Sequence, residues 1–277
     1  MDAPAGRRRD SSGQGQRRPR PGQRGGGKLT AANAPYKLYY WPSIQGRGEF
    51  VRLALEEVGV PYVDVARGEE SAGGGVKAMM AILKDRALAA PPFAPPFLAD
   101  GERLIAQTAN ILLYLGPRHD LAPASEAGRA LVNQLQLTIA DLVAEAHDTH
   151  HPVGMGLYYA DQKLEAARRA KEFRESRIEK YLGYFERVLG ANADGPSWLV
   201  GPAPSYADLS LFEVVEGLRY AFPRAMAARE DRWPKVIALR DRVAERPRIA
   251  AYLASDRRIA FNEDGIFRHY PELDASP

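Results

Sequence analysis

The stretch PPFLADGERLIAQTANILLYLG, residues 95–116, restricts the possible folds more than any other part of the chain. PFLA and RLIA are short apolar runs joined through Asp100-Gly101, with Glu102 beside it, and Asp-Gly between two such runs is the strongest short-range hairpin signal. Thr108 then opens a helical run through Ile111, Leu112 and Leu115, ended by Gly116-Pro117. Upstream, the aromatic run Tyr36 to Trp41, bounded by Pro42, reads as a strand. From Gly46 the stripe Val51, Ala54/Leu55, Val58 predicts a helix closed by Gly59, and Val60 to Ala66 reads as a second strand. A strand–helix–strand unit suggests parallel pairing through a right-handed crossover. RGEESAGGG is a loop and VKAMMAILKD a weak helix, so residues 35–116 are expected to run β-α-β-α-β-β-α.

Beyond a linker at 117–124, residues 125–277 are expected to form an all-α domain. Leu131, Leu135, Ile139, Leu142/Val143 and Ala146 mark one long helix ending by Pro152. A second is expected from about Asp161 to Leu189, with Ile178, Tyr181/Leu182, Phe185 and Leu189 on one face. In GPAPSYADLSLFEVV, Ser205 stands as N-cap with Asp208 three residues on, a capping-box arrangement. WPKVIALRDRVAERPRIAAYLAS supplies one or two more helices.

Charge is unevenly placed. Residues 1–28 carry eight basic and two acidic side chains, a net of +6, while the whole chain is +3, so the remainder is −3. Residues 1–34, rich in Gly, Pro, Gln and Arg, are expected to be a disordered basic tail, because they lack the apolar residues to fold by burial. Such a tail could touch nucleic acid or anionic lipid; the folded part gives no sign of either partner. No apolar run approaches the roughly 18 residues of a membrane span, and no signal-type apolar segment is evident at the N-terminus. The chain has no cysteine. That excludes disulfides, thiolate metal sites and cysteine nucleophiles, and it fits a reducing cytoplasm.

Three stretches in order, YYWPSIQGRGE (39–49), PPFLADGERLIAQTANILLYLG and WLVGPAPSYADLSLFEVV (198–215), resemble the soluble glutathione transferases of the tyrosine type, similar to the Mu, Pi and Sigma classes. The resemblance covers roughly Tyr36 to Ser255. It implies a thioredoxin-like N-terminal domain, an all-α C-terminal domain, a homodimer, glutathione as co-substrate and a small hydrophobic electrophile as its partner. The chemistry it implies is conjugation by the glutathione thiolate. The alternative is a binding protein on the same fold, like the ligand carriers, lens crystallins and translation-factor subunits.

A free thiol has a pKa near 8.5, so only about 3% is ionised at pH 7. A phenolic O–H donated to sulfur favours the charged form, and lowering the pKa by two units raises the thiolate fraction roughly twentyfold. By the family pattern Tyr40 is that phenol, with Tyr39 on the opposite strand face. Ser43 is the alternative hydroxyl, since other classes use a serine near the first helix. Arg47 resembles the arginine that orients the hydroxyl, and Trp41 is expected to line the site. Gln107 and Thr108 resemble the pair that binds the γ-glutamyl carboxylate, Thr108 at a helix N-terminus that favours an anion. Pro96 falls at the family's cis-proline. The residue before it normally offers glutathione both N–H and C=O, but here it is Pro95, which has no N–H, a loss of about 0.5–1.5 kcal/mol. Lys84 is the candidate for the glycyl carboxylate. Leu137, beside Gln136, stands where Pi and Sigma enzymes carry an aspartate that reaches the partner subunit's glutathione.

His147 and His151 are four apart, as a two-His metal pair would be. No further ligand is evident and Pro152 disturbs the helix there. The expectation is therefore no metal, with these histidines closing the helix end and edging the electrophile pocket beside Tyr158.

Overall fold

β1 (Tyr36–Tyr39) alternates its side chains between two faces, and each face acquires its own helices. The computed structural model describes residues 34–274; the expected tail at 1–34 lies, but for its last residue, outside them. β1 pairs parallel with β2 (Tyr62–Asp64) and antiparallel with β3 (Phe97–Asp100), which pairs with β4 (Arg103–Ala106), giving the order β2-β1-β3-β4. The β3–β4 turn passes through Gly101 at φ +59°. On one face Leu38, Leu98 and Ile105 pack with Val51 and Leu55 of α1 (Gly46–Val58) and Ile111 and Leu115 of α3 (Thr108–Leu115). On the other, Tyr39 and Phe97 pack with Met79 of α2 (Gly75–Lys84), and the two rings stack 4.7 Å apart. The second strand is shorter than the sequence suggests, because Val65–Arg67 turns into a 3-10 helix that closes over α2.

α1 is buried nearly all round. Its Phe50, Leu53 and Ala54 face away from the sheet into a second, larger core built by the helices that follow. These are α4 (Glu126–Asp148), α5 (Lys163–Glu172), α6 (Ile178–Ala191), α7 (Tyr206–Ala221), α8 (Pro223–Ala227), α9 (Pro234–Ala244) and α10 (Pro247–Leu253). The single helix expected from Asp161 to Leu189 is broken in register: Phe173–Arg177 forms one π-helical turn between α5 and α6. The buried positions explain it. Ala166, Ala170 and Phe173 run at helical spacing, the next buried apolar residue is Ile178, and Tyr181, Leu182, Phe185 and Leu189 resume the stripe. The step of five residues matches the i→i+5 bonding of a π turn, which keeps both halves facing the core. α7 starts with the expected capping box: Asp208 accepts from Ser205 N–H at 2.7 Å, and it also accepts from Leu199 N–H at 2.7 Å.

A buried charge network ties α1 to the helices and to the last residues of the chain. Glu49 and Arg52 have no exposed surface. Glu49 accepts from Arg52 at 3.2 Å, from the Tyr252 hydroxyl at 2.7 Å and from Arg258. Arg52 also donates to Asp64 at 2.7 Å, and Arg258 to Glu213 of α7 at 2.9 Å. No period or motif announces these pairs.

Candidate active site

Tyr40 follows the last residue of β1, and its ring lies under the first turn of α1, 5% exposed. Two glycines make room for it. A Cβ on Gly46 would sit 2.2 Å from Tyr40 Oη, and one on Gly48 would sit 2.5 Å from Tyr40 Cδ1. Gly46 also has φ +46°, where L side chains are strained. The turn Gln-Gly-Arg-Gly is thus shaped around the tyrosine ring. The Arg47 backbone N–H donates to Tyr40 Oη at 2.8 Å. Because that bond uses an oxygen lone pair, the phenolic proton stays free to be donated elsewhere. Burial pushes the Tyr40 pKa up, against the opposing effects of the Arg47 N–H and the Arg47 and Arg52 charges. The hydroxyl therefore keeps its proton at neutral pH and serves as a donor.

Thr108 opens α3 beside this turn, its Oγ1 donating to the Arg47 carbonyl at 3.3 Å. Arg47, Phe50, Thr108, Gln136 and Val143 line a cavity of about 30 Å³ between α1, α3 and α4. Gln107, the residue before α3, holds φ 70° and ψ 122°, a conformation that costs a non-glycine residue on the order of 1–3 kcal/mol and tends to occur at functional positions. The Pro95–Pro96 bond is cis. Tyr40, Arg47 and Thr108 are thereby brought together. Trp41 is 38% exposed at the edge of the turn. Ser43 is exposed, its carbonyl accepting from Asn262 at 2.8 Å. Lys84 ends α2, exposed, and lines no part of the cavity. A larger groove of about 540 Å³ runs along β4 and α3 and includes none of the expected site residues.

Sequence reasoning missed the contribution of residues 255–274. This segment has only one short 3-10 turn, Pro271–Leu273, yet it packs on the site loop. Gln45 donates to the Ile259 carbonyl, and Phe267 fits against Gly217, where a Cβ would lie 2.2 Å from its ring. The only available signal was the aromatic and apolar content of Phe261, Ile266, Phe267 and Tyr270.

The histidines differ from the expected helical pair. α4 ends at Asp148, and tight turn bonds follow, Thr149 N–H to Ala146 and His150 N–H to His147, each 3.3 Å. The turn folds His150 and His151 back beside His147. Burial pushes His147 down to about 4 and His150 down to about 3, with nearby Arg268 acting in the same direction on both. Arg47 is close enough to His147 to depress it as well, so the cluster borders the tyrosine turn.

This arrangement can be compared with known proteins. Residues 147–256 match the family model "Glutathione S-transferase, C-terminal domain". Glutathione S-transferase P 1 of Xenopus laevis is 25% identical over 225 residues, covering 80% of this chain and 93% of that protein. The class-mu 26 kDa isozyme 7 of Fasciola hepatica is 25% identical over 227 residues, covering 81% and 91%. These likenesses support a protein of the soluble glutathione transferase superfamily. Among solved structures, the Onchocerca volvulus Pi-class glutathione S-transferase superposes with a TM-score of 0.62 at 23% identity, over 79% of this chain and 92% of that one. The small mixed sheet followed by helices is the thioredoxin-like plus helical fold of the glutathione transferases. Leu137, on α4, has a half-exposed side chain.

Proposed function

We propose that the protein is a glutathione transferase that conjugates the glutathione thiolate to small hydrophobic electrophiles, with Tyr40 as the hydroxyl that stabilises the thiolate. The observation that carries this reading is the Tyr40 hydroxyl itself, protonated, buried and held by the Arg47 N–H at 2.8 Å at the start of α1. An O–H fixed on one side by a backbone donor has its proton directed away from that donor. A thiolate placed there gains a charge-assisted hydrogen bond and the favourable end of the α1 dipole.

In this reading Arg47 positions the hydroxyl through its backbone. Thr108, with free N–H groups at the start of α3, and Gln107 receive the γ-glutamyl carboxylate. The Pro95 carbonyl remains available to the tripeptide while its missing N–H weakens the grip. Trp41 edges the site and Lys84 is kept for the glycyl end. The working protein is a homodimer. Phe93, 92% exposed, and the groove along β4 and α3 supply apolar surface for a second copy.

The test is the ultraviolet difference spectrum of glutathione on the protein from pH 5 to 9, in a preparation whose sedimentation mass is that of two chains. A thiolate band with its midpoint about two units below that of free glutathione is expected. Tyr40→Phe should abolish that shift and lower kcat/KM at neutral pH roughly ten- to a hundredfold, the worth of one hydrogen bond to a charge. Binding with an unshifted midpoint would favour the non-catalytic carrier. A shift that survives in Tyr40→Phe and disappears in Ser43→Ala would transfer the role to Ser43.

A further inference from the structure

At the end of α4 three imidazoles meet that the sequence presents only as a pair. The ring centroids of His147, His150 and His151 lie 4.8, 5.0 and 4.8 Å apart, close to an equilateral triangle, with each pair of rings tilted edge-to-face. One ring nitrogen from each comes within 4.8 Å of the others. Four-coordinate zinc with bonds of about 2.0–2.1 Å needs its ligand nitrogens about 3.3 Å apart, so small side-chain rotations would close the set. The His150 and His151 rings are in direct contact, their Nδ1 atoms 2.9 Å apart.

Hydrogen bonds define which nitrogens are free. His150 Nε2 lies 2.8 Å from the Ile266 carbonyl, which accepts only, so Nε2 carries the proton and Nδ1 presents a lone pair to the cluster. By the same argument His151 Nδ1, 2.7 Å from the His150 carbonyl, carries its proton and leaves Nε2 as the ligand nitrogen. A ligand histidine whose other nitrogen is bonded to a backbone carbonyl is the usual supporting arrangement of a metal site. His147 is buried, and Asp148 Oδ1 lies 3.9 Å from its Nδ1. His151 is partly exposed and gives an entry route.

From this geometry we propose that His147, His150 and His151 form a site for a borderline transition-metal ion such as zinc or cobalt(II). The chemistry of the ligands selects the class. Three imidazoles suit these ions and do not suit calcium or magnesium, which require oxygen ligands. Arg47 and Arg268 face the cluster and oppose a cation, which also disfavours ions held only by charge. Three protein ligands leave one place in a coordination number of four for an exogenous ligand. The site is independent of the transferase reading.

The composition makes the test clean. With no cysteine and five histidines in the whole chain, only His119 and His269 compete as strong ligands. Metal-free full-length protein, in buffer without glutathione, is titrated with cobalt(II) and followed by visible absorption, with zinc competition. One cobalt per chain is expected. Affinity should fall at least tenfold in His147→Ala and in His151→Ala, and should stay within twofold in a His119→Asn/His269→Asn double variant. His151→Ala carries the decision because His150 also holds Ile266, and zinc should raise the melting temperature of the wild type but not of this variant. Absence of stoichiometric binding, or binding that follows His119 and His269 rather than the triad, would overturn the proposal.

Discussion

At the scale of single residues, the site depends on what is missing from the turn as much as on what is present. Gly48 carries no side chain where a Cβ would lie 2.5 Å from Tyr40 Cδ1. Gly48→Ala should therefore displace the ring, destabilise the fold by about 1–3 kcal/mol, and lower activity toward the Tyr40→Phe level. A melting curve paired with a conjugation assay checks it, and an alanine variant with normal activity would refute the packing argument. The tyrosine was legible in the sequence because it stood at a fixed place before a Gly-Arg-Gly turn. The reason for both glycines was not legible, since it lies in the approach of a ring six and eight residues away. Gln107's left-handed backbone was equally hidden, because residue preferences point to glycine or asparagine for such a conformation.

At the scale of elements, periodicity served well. It placed the first and third helices, while the aromatic run and the Asp-Gly turn placed strands β1, β3 and β4. It failed where the repeat skips a residue. The π turn between α5 and α6 was written in the spacing from Phe173 to Ile178, and it sets Arg177 against Glu145 of α4. That carboxylate accepts from Arg177 at 2.7 and 2.8 Å, from Tyr181 at 2.8 Å and from Arg169 at 3.2 Å. Burial works to raise the Glu145 pKa, but these donors outweigh it and hold the group near 2, below its ordinary 4.5. A carboxylate depressed in the folded state binds its proton more tightly when unfolded. Its stabilising contribution is complete above about pH 4.5 and is lost as pH falls toward 2. Glu145→Gln should thus be less stable than wild type by urea unfolding at pH 7, and the gap should narrow across that acid window. A gap independent of pH would mean that the amide has merely disturbed packing.

At the scale of the whole molecule, the two cores are joined through α1, and the join is electrostatic as well as apolar. Arg258 bonds both Glu49 and Glu213, neither of which has more than 1% of its surface exposed. Removing one member of such a buried set leaves a carboxylate without its partner, at a cost of about 3–5 kcal/mol. Arg258→Met should lower unfolding free energy by about that amount, and adding Glu213→Gln should restore part of it. A loss below about 1 kcal/mol, within the range of an exposed pair, would contradict the burial argument. These contacts were invisible in the sequence because they join positions 209 and 45 residues apart without any repeat. The same network has a consequence for synthesis on the ribosome. Glu49 and its arginine at position 258 are 209 residues apart, so at about 5–20 residues per second the first half of the chain waits roughly 10–40 s for that counter-ion to be made. During that interval the tyrosine turn can form its strand and helix, but the segment that anchors it does not yet exist. Competence of the site is therefore among the last properties the nascent chain acquires.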